Sequence, residues 1–436
     1  MRYLDEILAA ASDPRRLEEL YQQARRDRAL PAFQESLAAA RAEATDNLLY
    51  AAWHYRLQPQ LRTETTAAVR GAHWPLAIGL AVLAAVGFAL LGAPTLVFPG
   101  GTPVMMILWA PLTVLPIMAY LVLNGGQSGT RALLSGAAIV ILGLYATFWI
   151  FRQGLPPADY ALIMAIHLPL AAAIAVGAVV LGLRPGQDNL FAALTKAIEV
   201  LVTGGVFLIV GGMFAGIAIG MFAALNLRLS PEVMQRAFFA GLGAVPVLAV
   251  ATVYDPRLQP IEQQFEQGLG KLVPIITRLL LPLALIVLVI YLGLIPFRFM
   301  EPFNNREVLI VYNAMLFGVM GLLVGVTPVR GEDLPPRLQA ALRFGITVLA
   351  ALAFVISLYA LSATAYRTAL GGLTINRLTV IGWNVINIAI LGLLLYRRYR
   401  DGAPAWVRSL QATAAVGIIG YVVWTAFLVL ALPLIF

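Results

Sequence analysis

FAALTKAIEVLVTGGVFLIVGGMFAGIAIGMFAAL, residues 191–225, is the stretch that decides the fold. It is almost wholly apolar and far longer than an ordinary soluble core helix. An apolar run above about 18 residues reads as a membrane span. Gly205, Gly212, Gly216 and Gly220 recur at spacings of seven, four and four. That spacing puts them on one helical face, where a neighbouring backbone can approach closely, so they read as helix-packing positions. The stretch is therefore expected inside a bundle, with other helices around it. Lys196 and Glu199 stand one turn apart near its start, where a cytosolic turn is expected.

The pattern repeats along the chain. Apolar spans are expected at 74–93, 103–123, 132–151, 160–183, 190–225, 233–254, 272–296, 307–328, 338–362, 378–396 and 411–435. The fold class is all-α: a polytopic transmembrane bundle of about eleven spans, residues 74–436, behind a small cytosolic helical segment, residues 1–73. Composition agrees. The chain is 60% hydrophobic with a mean hydropathy of +0.84. Charged residues are 12%, against roughly 25% in soluble domains. Lipid, unlike a soluble core, can accommodate that much apolar surface.

The formal charge is +8, with a pI near 9.8. It is spread over loops between spans, as topology requires, so nucleic acid is not an expected partner and the lipid bilayer is. There is no cysteine, and His54, His73 and His167 have no ligand spacing, so neither disulfides, a metal nor a cofactor is expected. Of the 20 basic residues after residue 73, thirteen fall on one side of the span pattern. Taking that side as cytosolic places the amino terminus inside and, with an odd span number, the carboxyl terminus outside. The start, MRYLDEILAAASDPRRLEEL, carries early acids and lacks the apolar run of a secretory signal.

Residues 1–73 balance ten basic against ten acidic residues. Asp13-Pro14 starts a helix, Leu30-Pro31 restarts one, and Asp46 or Asn47 caps a third. Three or four amphipathic helices are expected. They either dock a cytosolic protein partner, through an aromatic patch near Tyr50, Trp53 and Tyr55, or lie against the membrane domain. The loop 255–271, DPRLQPIEQQFEQGLGK, reads as a short interfacial helix.

Four stretches carry a resemblance: GGVFLIVGGMFAGIAIGMFAALNLRL (204–229), AVPVLAVATVYDP (244–256), KLVPIITRLLLPLALIVLVIYL (271–292) and AYRTALGGLTINRLTVIGWNV (365–385). Their order, and above all the GLT-x-NR stretch, resembles the bacterial polytopic membrane proteins grouped as domain-of-unknown-function 4153. The resemblance covers residues 74–436 in outline. It implies a multi-pass protein of the bacterial inner membrane and brings no activity. Read on its own residues, Gly371-Gly372 can reverse the chain with positive φ, and Thr374 can cap the next helix. Tyr366, Arg367, Asn376 and Arg377 then gather at one interface, as a polar mouth or as headgroup anchors.

Ionisable groups inside spans are costly and point to function. Lys196, Glu199, Arg278 and Arg343 belong to the cytosolic side. They read as a charged vestibule neutralised by Glu199, or as snorkelling cations beside one local pair. His167, Tyr312, Asn313, Asn384 and Asn387 belong to the outer half, as a polar path or as interhelical hydrogen-bonding groups. No phosphate-binding glycine loop, His-Glu-x-x-His or serine–histidine motif is present, and the adjacent acids Glu332 and Asp333 read as a solvated turn. An enzyme is not expected; one acting on lipid would need converging acids in a lateral cleft. Two readings stay open: a transporter or channel for a small solute or ion, and a non-transporting anchor or subunit docking a partner through residues 1–73.

Overall fold

The computed structural model describes all residues except 1–2, 28, 45, 68–72, 99–100, 153–156, 183–184, 228, 266–268 and 330–333. Glu332 and Asp333, with Arg70, Arg184, Arg228 and Arg330, lie outside the described residues. The chain forms two compact units, Met1–Gly71 and Ala72–Phe436.

The first unit holds α1 (Leu4–Ala9), α2 (Pro14–Arg26), α3 (Leu30–Glu43) and α4 (Leu48–Ala67). Asp13 caps α2, its carboxylate accepting from the N–H of Arg15 at 3.0 Å and of Arg16 at 3.1 Å. Asn47 caps α4 in the same way and donates its amide to the carbonyl of Ala11 at 2.8 Å, tying the third turn region back to α1. Ile7, Leu17, Leu20, Tyr21, Phe33, Leu37, Tyr50, Trp53 and Leu57 make the core. The aromatic patch expected on the surface is therefore not there. Tyr50 and Trp53 are buried, with the Tyr50 hydroxyl donating to the Ile7 carbonyl, and only Tyr55 is exposed. The helical periodicity gives an apolar face; it does not say whether that face meets its own unit or a partner.

The second unit contains α5 (Trp74–Leu91), α6 (Met105–Gly125), α7 (Gly129–Phe151), α8 (Pro157–Leu181), α9 (Gln187–Ala224), α10 (Pro231–Val253), α11 (Leu269–Leu294), α12 (Glu301–Asn304), α13 (Arg306–Val326), α14 (Pro336–Gly371), α15 (Ile375–Asp401), α16 (Trp406–Leu430) and α17 (Leu432–Ile435). Eleven of these, all but α12 and α17, are long and apolar enough to cross a membrane. They match the eleven expected spans in order. The chain is an all-α polytopic bundle and a multi-pass membrane protein in contact with lipid. Prolines inside α6, Pro111 and Pro116, are buried against neighbouring helices, which is where a membrane helix tolerates them.

Helices α5 and α10 pair, α6 and α7 pack on α8, and α11, α13, α14, α15 and α16 pack in series. Helix α9 touches α8, α10, α11, α13 and α16 and so joins both groups. Its buried residues lie on its first five turns. Phe191, Ala192, Thr195, Lys196, Glu199, Thr203 and Gly204 are buried, whereas nearly every residue from Gly205 to Leu227 is half-buried or exposed. The helix expected at the centre of the bundle is thus central for half its length.

At the α14–α15 turn, Gly372 takes φ +74°, a conformation that a side chain would strain. Thr374 caps α15, accepting from the Arg377 N–H at 3.3 Å, and Arg377 donates back to the Gly372 carbonyl. Tyr366 meets Phe303 edge-on, with ring centres 5.5 Å apart. The loop after α10 is not the expected α-helix. Pro256 and Pro260 interrupt it, leaving a single 3-10 turn at Pro260–Glu262. The Gln263 amide holds the loop closed, donating to the carbonyl of Asp255 at 2.7 Å and accepting from the Asp255 N–H at 3.1 Å.

Candidate functional site

Polar side chains gather between α7, α8, α15 and α16. His167, ten residues into α8, is buried and meets Trp383, eight residues into α15, so the two helices begin at one level. The indole Nε1–H can only donate, so His167 Nε2 accepts from it at 3.0 Å. The ring proton then sits on Nδ1, which donates to the Ile163 carbonyl at 2.7 Å. Both ring nitrogens are used, and the imidazole is held in one neutral tautomer. To take up a second proton, His167 would have to give up Trp383. The rings stack at 5.8 Å, with Phe317 and Tyr421 against the other sides of Trp383.

Asn384 and Asn387, one turn apart on α15, are 1% and 0% exposed. The Tyr421 hydroxyl donates to Asn387 Oδ1 at 2.5 Å. The Nδ2 groups of both amides are buried with no partner, and so are Trp149 Nε1, Tyr160 Oη and Trp424 Nε1. These five groups lie on the four helices of this region. Measured along each helix at 1.5 Å per residue from the end that carries the α7–α8 and α14–α15 turns, they descend from about 3 Å at Trp149 to about 18 Å at Asn387. Unpaired buried polar groups cost about 1–3 kcal/mol each, and each one calls for an explanation such as a bound water, ion or ligand.

Asn313 does not join them: its amide turns back to the Leu309 carbonyl on its own helix at 2.7 Å. Tyr312 packs against Tyr291, with ring centres 5.0 Å apart.

Lys196 and Glu199 form the pair that their spacing suggests, at 2.7 Å and with both side chains buried. Lys196 also donates to the Gln264 carbonyl at 2.5 Å and lies 4.7 Å from the centre of the Phe265 ring. The proline-broken loop thus closes over the pair. The expected vestibule, with Glu199 neutralising several cations, is not formed among the described residues. Glu199 has Lys196 as its ion-pair partner, and neither Arg278 nor Arg343 reaches a carboxylate of the described residues. Arg278 is half-buried on α11, its Nε unpartnered. Arg343 is half-buried on α14.

The glycine seam also departs from expectation. A Cβ placed on Gly205, Gly212, Gly216 or Gly220 meets nothing within 4 Å. Among the described residues these glycines therefore make no close helix contact of the kind the seam suggests, and the buried part of α9 ends at Gly204. The glycines in close contact are elsewhere, among them Gly243 against Ala84 and Phe88, and Gly382 against Trp424.

Sequence reasoning missed Trp149, Tyr160, Trp383, Tyr421 and Trp424. Aromatic residues in or near spans read as lipid-facing side chains or headgroup anchors, and nothing local distinguishes a membrane-facing ring from one turned inward. Comparison with protein-family models, with curated proteins and with solved structures found no match.

Proposed function

We propose that this integral membrane protein is a transporter or channel for a small solute or ion, and not an enzyme. The observation that carries the reading is the series of five unpartnered donors leading from one end of α7, α8, α15 and α16 to their middle. Packing alone gives no reason to bury donors without acceptors, since interhelical hydrogen-bonding groups are satisfied by each other. A passing or resting solute supplies the acceptors. The excess of basic residues on one side of the spans supports an amino terminus in the cytosol. The resemblance to domain-of-unknown-function 4153 supports the bacterial inner membrane.

Proteoliposomes test the reading by light-scattering recovery after a hyperosmotic shock with small solutes. The wild type is expected to recover at least ~10-fold faster than Asn384→Leu/Asn387→Leu, because each replacement fills the site with an apolar side chain and removes a donor. Recovery no faster than that of empty liposomes, for every solute, defeats the proposal.

A second reading is an anchor or subunit that docks a cytosolic partner through the first unit. One observation favours it: a cavity of about 300 Å³ beside α3 and α4, lined by Pro31, Gln34, Leu37, His54 and Leu57. Both polar atoms of the Gln34 amide are buried there without a partner. Under this reading Gln34→Ala lowers recovery of an associated protein in a pull-down, while flux is absent throughout. Equal recovery from wild type and variant argues against it.

A further inference from the structure

The chemistry of the unpartnered groups narrows the solute class. This step rests on the transport reading. The indole N–H of Trp149 and Trp424 only donates, and so do the free amide nitrogens of Asn384 and Asn387. The fifth group, the Tyr160 hydroxyl, can donate as well. A solute that meets these groups one after another must accept hydrogen bonds. A metal cation or an ammonium group would meet the wrong end of four of these dipoles.

A separate observation at the far end of the same helices gives the sign of the charge. Among the described residues, Arg398, near the end of α15, bonds neutral acceptors: the Thr347 hydroxyl at 3.3 Å and the Gly402 carbonyl at 3.4 Å. Thr347 itself bonds the Arg343 carbonyl one turn below it on α14, at 2.8 Å. Arg343 and Arg398 therefore stand on facing turns of α14 and α15, both half-buried, with no carboxylate bonded to either among the described residues. The nearby acid Asp401 is already taken by Arg400 at 2.7 Å and by the Ser409 hydroxyl at 2.9 Å. Two like charges held together out of bulk water are stabilised by an anion between them, and guanidinium groups fit oxyanions with paired N–H bonds. At the donor end, the carboxylate on these helices among the described residues is Asp159, half-buried in the first turn of α8 beside Tyr160 and level with Trp149.

We infer that the solute is a small inorganic anion, received by the buried N–H and O–H donors of α7, α8, α15 and α16 and by the Arg343–Arg398 pair at their other end.

The test uses the full chain in liposomes shocked with potassium nitrate, potassium chloride or potassium phosphate. Valinomycin is present, so that potassium follows freely and anion entry limits recovery. Glycerol and radioactive sodium uptake are run in parallel. At least one anion is expected to enter ~10-fold or more faster in wild type than in Asn384→Leu/Asn387→Leu, with no sodium uptake. Arg343→Gln/Arg398→Gln is expected to slow the same anion several-fold, whereas Arg400→Gln, whose charge is already paired, leaves it unchanged. Should the leucine variant fail to fold, Asn387→Asp keeps the shape and the Tyr421 bond while adding negative charge, and is expected to abolish anion entry. Entry of glycerol or sodium without any of the three anions overturns the inference and leaves transport standing. Anion entry that is unaffected by both double variants also overturns it. No movement of any solute removes the transport reading and this inference with it.

Discussion

Glu199→Leu is expected to destabilise the protein in detergent by about 3–5 kcal/mol, the usual cost of leaving one member of a buried ion pair alone. Lys196 would keep the Gln264 carbonyl and the face of Phe265. It would lose its only described counter-charge in a place where both side chains are almost wholly enclosed. The matched double replacement, Lys196→Met/Glu199→Leu, removes both charges together and is expected to return most of the loss, because similar-sized apolar side chains replace a buried pair at little cost. Thermal unfolding followed by size-exclusion chromatography reads both. A single variant as stable as wild type would show that water or another group reaches Lys196 and that the loop does not seal the pair. The effect is expected to be large because of where the pair sits: on the five turns of α9 that touch both groups of helices and the loop before α11.

Gly243→Ala is the second large effect. The added methyl would lie 2.8 Å from the Ala84 carbonyl oxygen and 2.7 Å from Cγ of Phe88, both on α5. A backbone oxygen cannot swing aside, so α5 and α10 must separate, at about 1–3 kcal/mol by the usual cost of overpacking. Gly216→Ala is the control on α9. Its methyl meets nothing, and alanine is the better helix former, so stability in detergent is expected to stay level or rise slightly. Equal losses from the two substitutions would mean that the α9 glycines are packed after all.

The contrast between these glycines shows what was legible in the sequence. All eleven spans were, because lipid demands long apolar runs and few other settings allow them. The turn from α14 to α15 was too, since Gly372 and Thr374 act through their own backbone and nearest neighbours. Lys196 and Glu199 could be paired from their spacing alone. The surroundings were not legible. Apolar residues facing lipid and apolar residues facing another helix are the same residues, so Phe191–Gly204 and Gly205–Leu225 read as one continuous core helix although the buried residues lie in the first part. Asn384 and His167 could be picked out as polar groups in apolar spans. That Trp383 would occupy His167 across 216 positions, or that Trp149, Tyr160 and Trp424 would turn unpaired donors inward, depends on how distant spans are set side by side.

At 1.5 Å per residue, the 38 residues of α9 measure about 57 Å and the 36 of α14 about 54 Å, nearly twice the ~30 Å of a hydrocarbon layer. Rods of that length cannot stand upright within the layer; they lean or carry their ends into the headgroups. Each ångström of mismatch costs a fraction of a kcal/mol. In α14 that strain is shared with α11, α13 and α15, whereas the residues of α9 after Gly204 are half-buried or exposed. The thickness of the surrounding bilayer therefore sets the tilt of α9 more directly than that of any braced helix in the molecule.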